Sequence, residues 1–254
     1  MTARAHLGQL LERNGDLDLP TLHDDELAAL FPLAPPRALL VPLASHDGLS
    51  ADERTARAVA GEESLLERGL LAEDGDGVRP TDELRAILAV RDAPQTVTLV
   101  DVVEGDDVRS RYAYGLGGDA FVLTETVDGD EHPFALRTPA AAAAALAHEI
   151  DRDVRAAKSD GRPLVRTADD EPRSWAKVEA ALAAPERTVR LFAAHRVSET
   201  EVRDLETSIV VAQTGVWVLA GEVEAATGNG SVTARQLSRA GLEELLRSFL
   251  AMVR

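Results

Sequence analysis

Apolar side chains recur at helical spacing through roughly the first 90 residues and alternate at strand spacing from Thr96 onward. Asp24, Asp25 and Glu26 precede Leu27, Leu30 and Phe31; acids in a first turn suit the positive end of a helix, so a helix is expected over about 22–31. Pro32, Pro35 and Pro36 end it, and the apolar run 37–43 with Pro42 reads as an extended connector or edge strand. Ser50 with Glu53 forms a capping box ahead of Val59, Leu65, Leu66 and Leu70, which predicts a helix over 50–68. A glycine-containing turn spans 70–80, and Thr81 caps a second helix over 81–90 with Leu84, Ile87 and Leu88 inward. Helix, wing-like turn and helix resemble part of a winged-helix unit.

Strands are expected over 96–103, 108–115, 120–127 and 132–137, separated by Glu104–Asp107, Leu116–Asp119 and the hairpin signal Asp128-Gly129. Thr138 and Pro139 then open a helix through the alanine tract to Ile150. A polar stretch over 156–173 reads as a linker, and Ser174 as the cap of a helix carrying Trp175, Val178 and Leu182. The pattern then repeats. Gln95-Thr96-Val97-Thr98-Leu99 matches Arg187-Thr188-Val189-Arg190-Leu191, Val108-Arg109 matches Val202-Arg203, and Asp119–Leu123 matches Gly215–Leu219. The helix 240–253 stands where the alanine helix stood. The match predicts two copies of a four-stranded meander plus helix.

The expected fold class is therefore α+β: N-terminal helices and two pseudo-two-fold-related halves around a central antiparallel sheet. The organisation expected is a loose lead-in over 1–20, a first half over 21–155, the linker over 156–173 and a second half over 174–254, forming one domain overall.

Composition narrows the function more than it defines it. The 254 residues carry 27 basic and 44 acidic side chains and no cysteine, which excludes disulfides, thiolate metal sites and cysteine nucleophiles. The net charge of −17 argues against nucleic acid, and residues 50–90 hold ten acids against five arginines. With no long apolar span and no apolar leader after Met1, the expectation is a cytoplasmic protein without membrane insertion. No histidine sits at metal-ligand spacing, so neither metal nor cofactor is expected. Ser45-His46-Asp47 are sequence neighbours, which cannot form a catalytic line. Gly115–Gly118 is followed by strand-like sequence rather than a helix, hence a turn rather than a phosphate cradle. Asp24-Asp25-Glu26, Glu104–Asp107 and Asp169-Asp170-Glu171 read as solvated acidic runs, His148-Glu149 as a solvated helix face, and His195 as a rim residue. Phe121 and Trp217, at equivalent places in the two copies, read as packing residues. The enzyme reading would need His132 and His195 to converge, and is not favoured.

This order of elements resembles the EspG family of type VII (ESX) secretion chaperones of actinobacteria. The resemblance is carried by the acid-capped helix 22–31, Leu39-Leu40-Val41, the helix end Ser64–Leu71, the turn closing on Val78-Arg79-Pro80, and the strand-rich halves with Glu186-Arg187-Thr188-Val189. It implies a non-catalytic cytosolic chaperone that holds a helical secretion substrate, PPE-type or another ESX client, as a monomer or weak homodimer. In that family the loop between the first two strands of the first meander helps grip the client. Here it maps to Glu104, Gly105, Asp106 and Asp107, short and acidic, with the turn at Leu116, Gly117 and Gly118 as a second contact. An acidic loop suits a client tip bearing Arg or Lys. The alternative is a small-molecule-binding or sensor domain with a pocket between the halves.

Overall fold

The computed structural model describes residues 3–30, 43–73, 77–91, 94–115, 121–151, 162–166, 175–198, 201–223 and 230–251. The fold is α+β with a large antiparallel sheet. The chain divides into two units, Met1–Val97 with Arg111–Pro139, and Thr98–Ser110 with Ala140–Arg254.

The first unit opens with α1 (Ala3–Asn14) and β1 (Leu17–Asp18), so the expected loose lead-in is ordered structure. Buried Leu7 and the pairing of β1 with a later strand explain the difference: tertiary contacts, not local propensity, fix these residues. Next come β2 (Leu22–His23), α2 (Asp24–Leu30), a 3₁₀ turn (Ala44–His46), α3 (Ala51–Glu67), β3 (Leu71–Glu73), β4 (Val78–Pro80) and α4 (Asp82–Arg91). The connector 37–43 lies outside the described residues except for Leu43. The capping box on α3 is present: Ser50 Oγ accepts from the Glu53 N–H, and Glu53 Oε2 accepts from the Ser50 N–H at 2.8 Å. The Ser50 hydroxyl also donates to Glu53 Oε2 at 2.6 Å, and this bond first and the Ser50 backbone N–H second pull the Glu53 carboxyl below its ordinary range. At the other end Gly69, at φ +68°, lets Leu70 N–H reach the Leu65 carbonyl at 2.9 Å and close the helix. The β3–β4 ribbon is the expected wing, and Thr81 Oγ1 caps α4 at the Leu84 N–H.

The meander follows. β5 (Thr96–Glu104) and β6 (Asp107–Gly115) form a hairpin whose base belongs to the first unit and whose tip, Thr98–Ser110, belongs to the second. Then come β7 (Val122–Val127), β8 (Glu131–His132) and β9 (Phe134–Arg137). Strand order in the first unit is β1-β9-β7-β6. The expected single strand over 132–137 is two. Pro133 has no N–H to give a ladder, and before it His132 turns away to pair with Leu22 of β2. Gly129, at φ +65°, makes the tight turn into β8.

In the second unit α5 (Pro139–Asp151) precedes β10 (Leu164–Arg166), α6 (Ala176–Ala183), β11 (Arg187–Arg196), β12 (Val202–Ala212), β13 (Gly215–Val223), β14 (Gly230–Leu237) and α7 (Arg239–Ala251). The order is β5-β11-β12-β13-β14-β10. The expected linker holds β10 at 164–166, paired with β14; its residues 156–161 and 167–173 lie outside the described ones, as does Ser174. Trp175 takes the N-cap position of α6 without a side-chain bond.

Both copies run in the same order, helix, meander strands and helix, with the fourth strand of the first copy split into β8 and β9. β1 flanks β9 as β10 flanks β14, a correspondence too short to read from sequence. The division into units departs from the expected one, because α5 belongs with the second meander. Arg187 of β11 donates to the Ile150 carbonyl at 3.0 Å, and Arg239 of α7 donates to the Ala144 carbonyl at 2.9 Å. Thr98 of β5 donates in turn to the Phe249 carbonyl of α7 at 3.1 Å. α7 buries Leu242, Leu246, Phe249 and Leu250, one helical stripe, on this side. On α6, Trp175, Val178 and Ala181 pack with Val210, Ala212, Trp217 and Ala234. Phe121 and Trp217 are both buried, as expected of packing residues.

α3 crosses α2 at backbone distance. A Cβ on Gly61 would lie 2.0 Å from the Asp25 carbonyl oxygen. Gly61→Ala must therefore separate the two helices, with an expected loss of about 2 kcal/mol or more by urea denaturation. Gly8→Ala, inside α1 with nothing within 4 Å of the new methyl, is expected to raise stability by about 0.5–1 kcal/mol in the same assay.

Candidate functional site

The acidic run at the start of α2 is not solvated. Asp24 and Glu26 are each 1% exposed, and each acid of the run has its own partners. Successive helical residues point about 100° apart, so three adjacent acids face three directions. Asp24 turns to the meander, where its Oδ1 lies 2.7 Å from His132 Nε2, while its Oδ2 accepts the Ser45 N–H at 2.8 Å. Asp25 Oδ1 meets His46 Nε2 at 2.8 Å and Arg57 Nη1 at 3.4 Å. Glu26 accepts from Arg68 Nη1 at 2.6 and 2.7 Å, from Ser64 Oγ at 2.7 Å and from the His23 N–H at 3.0 Å. Arg57, Gly61, Ser64 and Arg68 are spaced four, three and four apart, a single face of α3 turned toward α2. Ser45 and His46 thus serve neighbouring acids rather than each other.

His132 is the centre of a sealed chain. Its Nδ1 lies 2.7 Å from Glu125 Oε1, and Glu125 Oε2 accepts from Tyr114 Oη at 2.5 Å and pairs with Arg91 Nε at 3.2 Å. His132 and Glu125 are both fully buried. Burial alone would depress the imidazole, but its bonds to Glu125 and then Asp24 outweigh that and raise it above its ordinary value. Tyr114 is pushed well above the usual phenol range by burial first and by the Glu125 charge second. Both ring nitrogens of His132 are committed to carboxylates, so neither lone pair is open to a metal. Among the described residues, no group of three or more acidic or histidine side chains is arranged to hold one. The chain can hold and pass a proton internally, and His132 and Glu125 are sealed from solvent.

The acidic hairpin lies in the second unit. Glu104 is only half-buried but is not free: Arg109 Nη2 lies 3.2 Å and Arg187 Nε 3.3 Å from its Oε2. Arg109 also reaches Glu149 at 3.5 Å and Asp107 at 3.9 Å. The expectation of a uniformly solvated run is therefore corrected at Glu104, and at Glu149 of the His148-Glu149 pair. Gly105, at φ +62°, turns the hairpin, and Asp106 and Asp107 are exposed at its tip. Leu116, Gly117, Gly118 and Asp169-Asp170-Glu171 lie outside the described residues. His195, on β11 opposite Arg203, is half-buried in the second unit, whereas His132 belongs to the first.

Sequence reasoning passed over the apolar residues of these hairpins. Val202 is 61% exposed and Val108 is 56%, the highest values among the exposed large apolar side chains. The sequence match aligns them, each followed by arginine, though Val202 lies further from its hairpin's base than Val108 does. That register was legible; the exposure was not, because a valine in a strand pattern reads as core. On β12 every residue from Val202 to Glu206 is exposed, including Leu205, and Val197 precedes the turn.

Compared with known proteins, the chain matches no family model and no curated sequence.

Glu26→Gln removes the buried charge that Arg68 faces, with an expected loss of about 2–4 kcal/mol. Asp18→Asn, which breaks the exposed Arg137–Asp18 pair at 2.8 Å, is expected to change stability by less than about 1 kcal/mol. Urea midpoints of the two variants measure the difference.

Proposed function

We propose that this protein is a non-catalytic chaperone that holds a helical secretion substrate of the type VII class, gripping it with its long hairpins. What carries the reading is the pair of exposed valines, Val108 and Val202, each near the outer end of its hairpin's second strand, β6 and β12. An apolar side chain kept in water near the tip of both hairpins suits a contact made on binding. Charged neighbours, Asp106 and Asp107 on one hairpin and Arg203, Asp204 and Glu206 on the other, suit a polar rim around it. The titratable cluster supports the same reading, since its side chains are spent on holding α2 and the meander together. The order of elements on which the EspG resemblance rests also supports it. The net charge of −17 suits a carrier that must stay soluble beside an aggregation-prone client. Because Glu104 is tied to Arg109 and Arg187, the acidic face offered to a basic client tip reduces to Asp106 and Asp107.

A tagged copy recovered from its own cytosol at moderate salt is expected to co-elute with a small, helix-rich protein of the type VII secretion class near one-to-one. Val108→Glu with Val202→Glu should lose that protein while keeping its circular dichroism spectrum. Asp106→Lys with Asp107→Lys should slow association with the recovered client and flatten its salt dependence. A preparation free of any such partner, or full retention of the client by the double valine variant, overturns the proposal.

A further inference from the structure

We propose that the buried Asp24–His132–Glu125 chain is a proton-dependent latch that fastens the α2–α3 helix pair to the first meander and loosens when His132 gives up its proton. The inference does not depend on the chaperone reading.

The geometry requires the proton. A neutral imidazole has one N–H and one lone pair, so it can donate to only one neighbour. Here both ring nitrogens lie 2.7 Å from carboxylate oxygens. With Asp24 and Glu125 ionised, both bonds exist only if both nitrogens carry hydrogen. The charges then balance: Asp24 and Glu125 against His132 and Arg91, whose Nε lies 3.2 Å from Glu125. Removing the imidazole proton leaves one carboxylate facing a lone pair and the cluster one negative charge in excess, at a site sealed from water.

The two carboxylates are not equally placed to tolerate this. Glu125 of β7 keeps Tyr114 of β6 and Arg91 of α4 on its other oxygen. Asp24 has the backbone N–H of Ser45 on its other oxygen. Strand β2 packs beside His132, but its own ionisable residue, His23, pairs in register with Glu131 and so points to the opposite face. Asp25 and Glu26 of α2 are engaged by His46, Arg57 and Arg68. The link that gives way is the one to Asp24. It joins α2 to the meander beside the two-residue β2–β8 ladder and the Asp24 N–H bond to the Asp130 carbonyl at 3.0 Å.

The direction of the pH effect follows. The folded imidazole titrates above the unfolded value of about 6.5, so the latch is fully set below that pH and is lost as pH rises through the folded value. Between the two, the equilibrium for opening α2 rises by up to about tenfold per pH unit, the limit for one proton. The test is carried out on the intact chain. The His132 ring is titrated by NMR, and hydrogen exchange at the Leu27 and Ala28 amides is followed from pH 6 to 9 with α7 amides as internal reference. Expected is a ring that titrates above 6.5 and extra opening at α2, after correction for intrinsic exchange, with no parallel change in α7. His132→Gln should abolish the pH dependence. Asp24→Asn, which leaves Glu125 on the ring, keeps the test open if His132→Gln does not fold; it should lower the ring's midpoint and move the opening window down with it. A ring that titrates at or below 6.5, α2 protection that is flat with pH, or opening shared equally by α7 overturns the proposal.

Discussion

The first unit depends on three consecutive carboxylates in the first turn of α2. A helix seven residues long has little stability of its own, because nucleation costs more than so few hydrogen bonds return. Asp24, Asp25 and Glu26 give it three anchors at three angles: the imidazole of β8, the His46–Arg57 pair, and the Arg68–Ser64 pair of α3. Such buried pairs add little net energy, since removing each ion from water offsets most of its attraction. What they fix is placement. A slide of α2 by one residue would put each acid where its neighbour's partner is not, and would drive side chains into the Gly61 crossing.

That logic explains what could and could not be read from the chain. Local signals were legible: the Ser50–Glu53 box, the Thr81 cap, the Asp128-Gly129 turn and the alternation from Thr96 are set by residues within a few positions of one another. The repeated order of elements was legible for the same reason, because meander strands pair with their sequence neighbours. The acidic run was misread because an acid near a helix start has a sufficient local explanation in the helix dipole. Its actual partner, His132, lies 108 residues away. Arg57 and Arg68, on one face of α3 with Gly61 and Ser64 between them, were the one hint that something acidic lay opposite. Similarly, β1 and β10 are too short to show a period, and the split at Pro133 needed knowledge of where β2 would lie.

The candidate hairpins illustrate the converse. Their sequences align, yet the alignment marks Val108 and Val202 only as matched strand positions. Exposure is a property of what is not packed above a side chain, and alternation alone does not encode it. The acidic loop at the tip of the first hairpin was half misjudged: Glu104 is engaged by Arg187, a residue matched to Gln95 in the repeat. Matched positions therefore carry different chemistry, as Arg187 and Gln95 show.

The bond from Thr98 to the Phe249 carbonyl spans 151 residues. Its consequence lies in the order of synthesis. The ligands of His132 are all present once the ribosome has made the first 139 residues, so the acid-anchored helices can settle early. Strand β5 leaves the ribosome at the same stage, but the bond that seats α7 on it needs a carbonyl 151 residues further along the chain. At about 5–20 residues per second, that strand waits on the order of 8–30 s for its cover. Over that interval the nascent chain carries a valine-rich hairpin with one face bare, and its strongest protection is the dense negative charge of the segments already emerged.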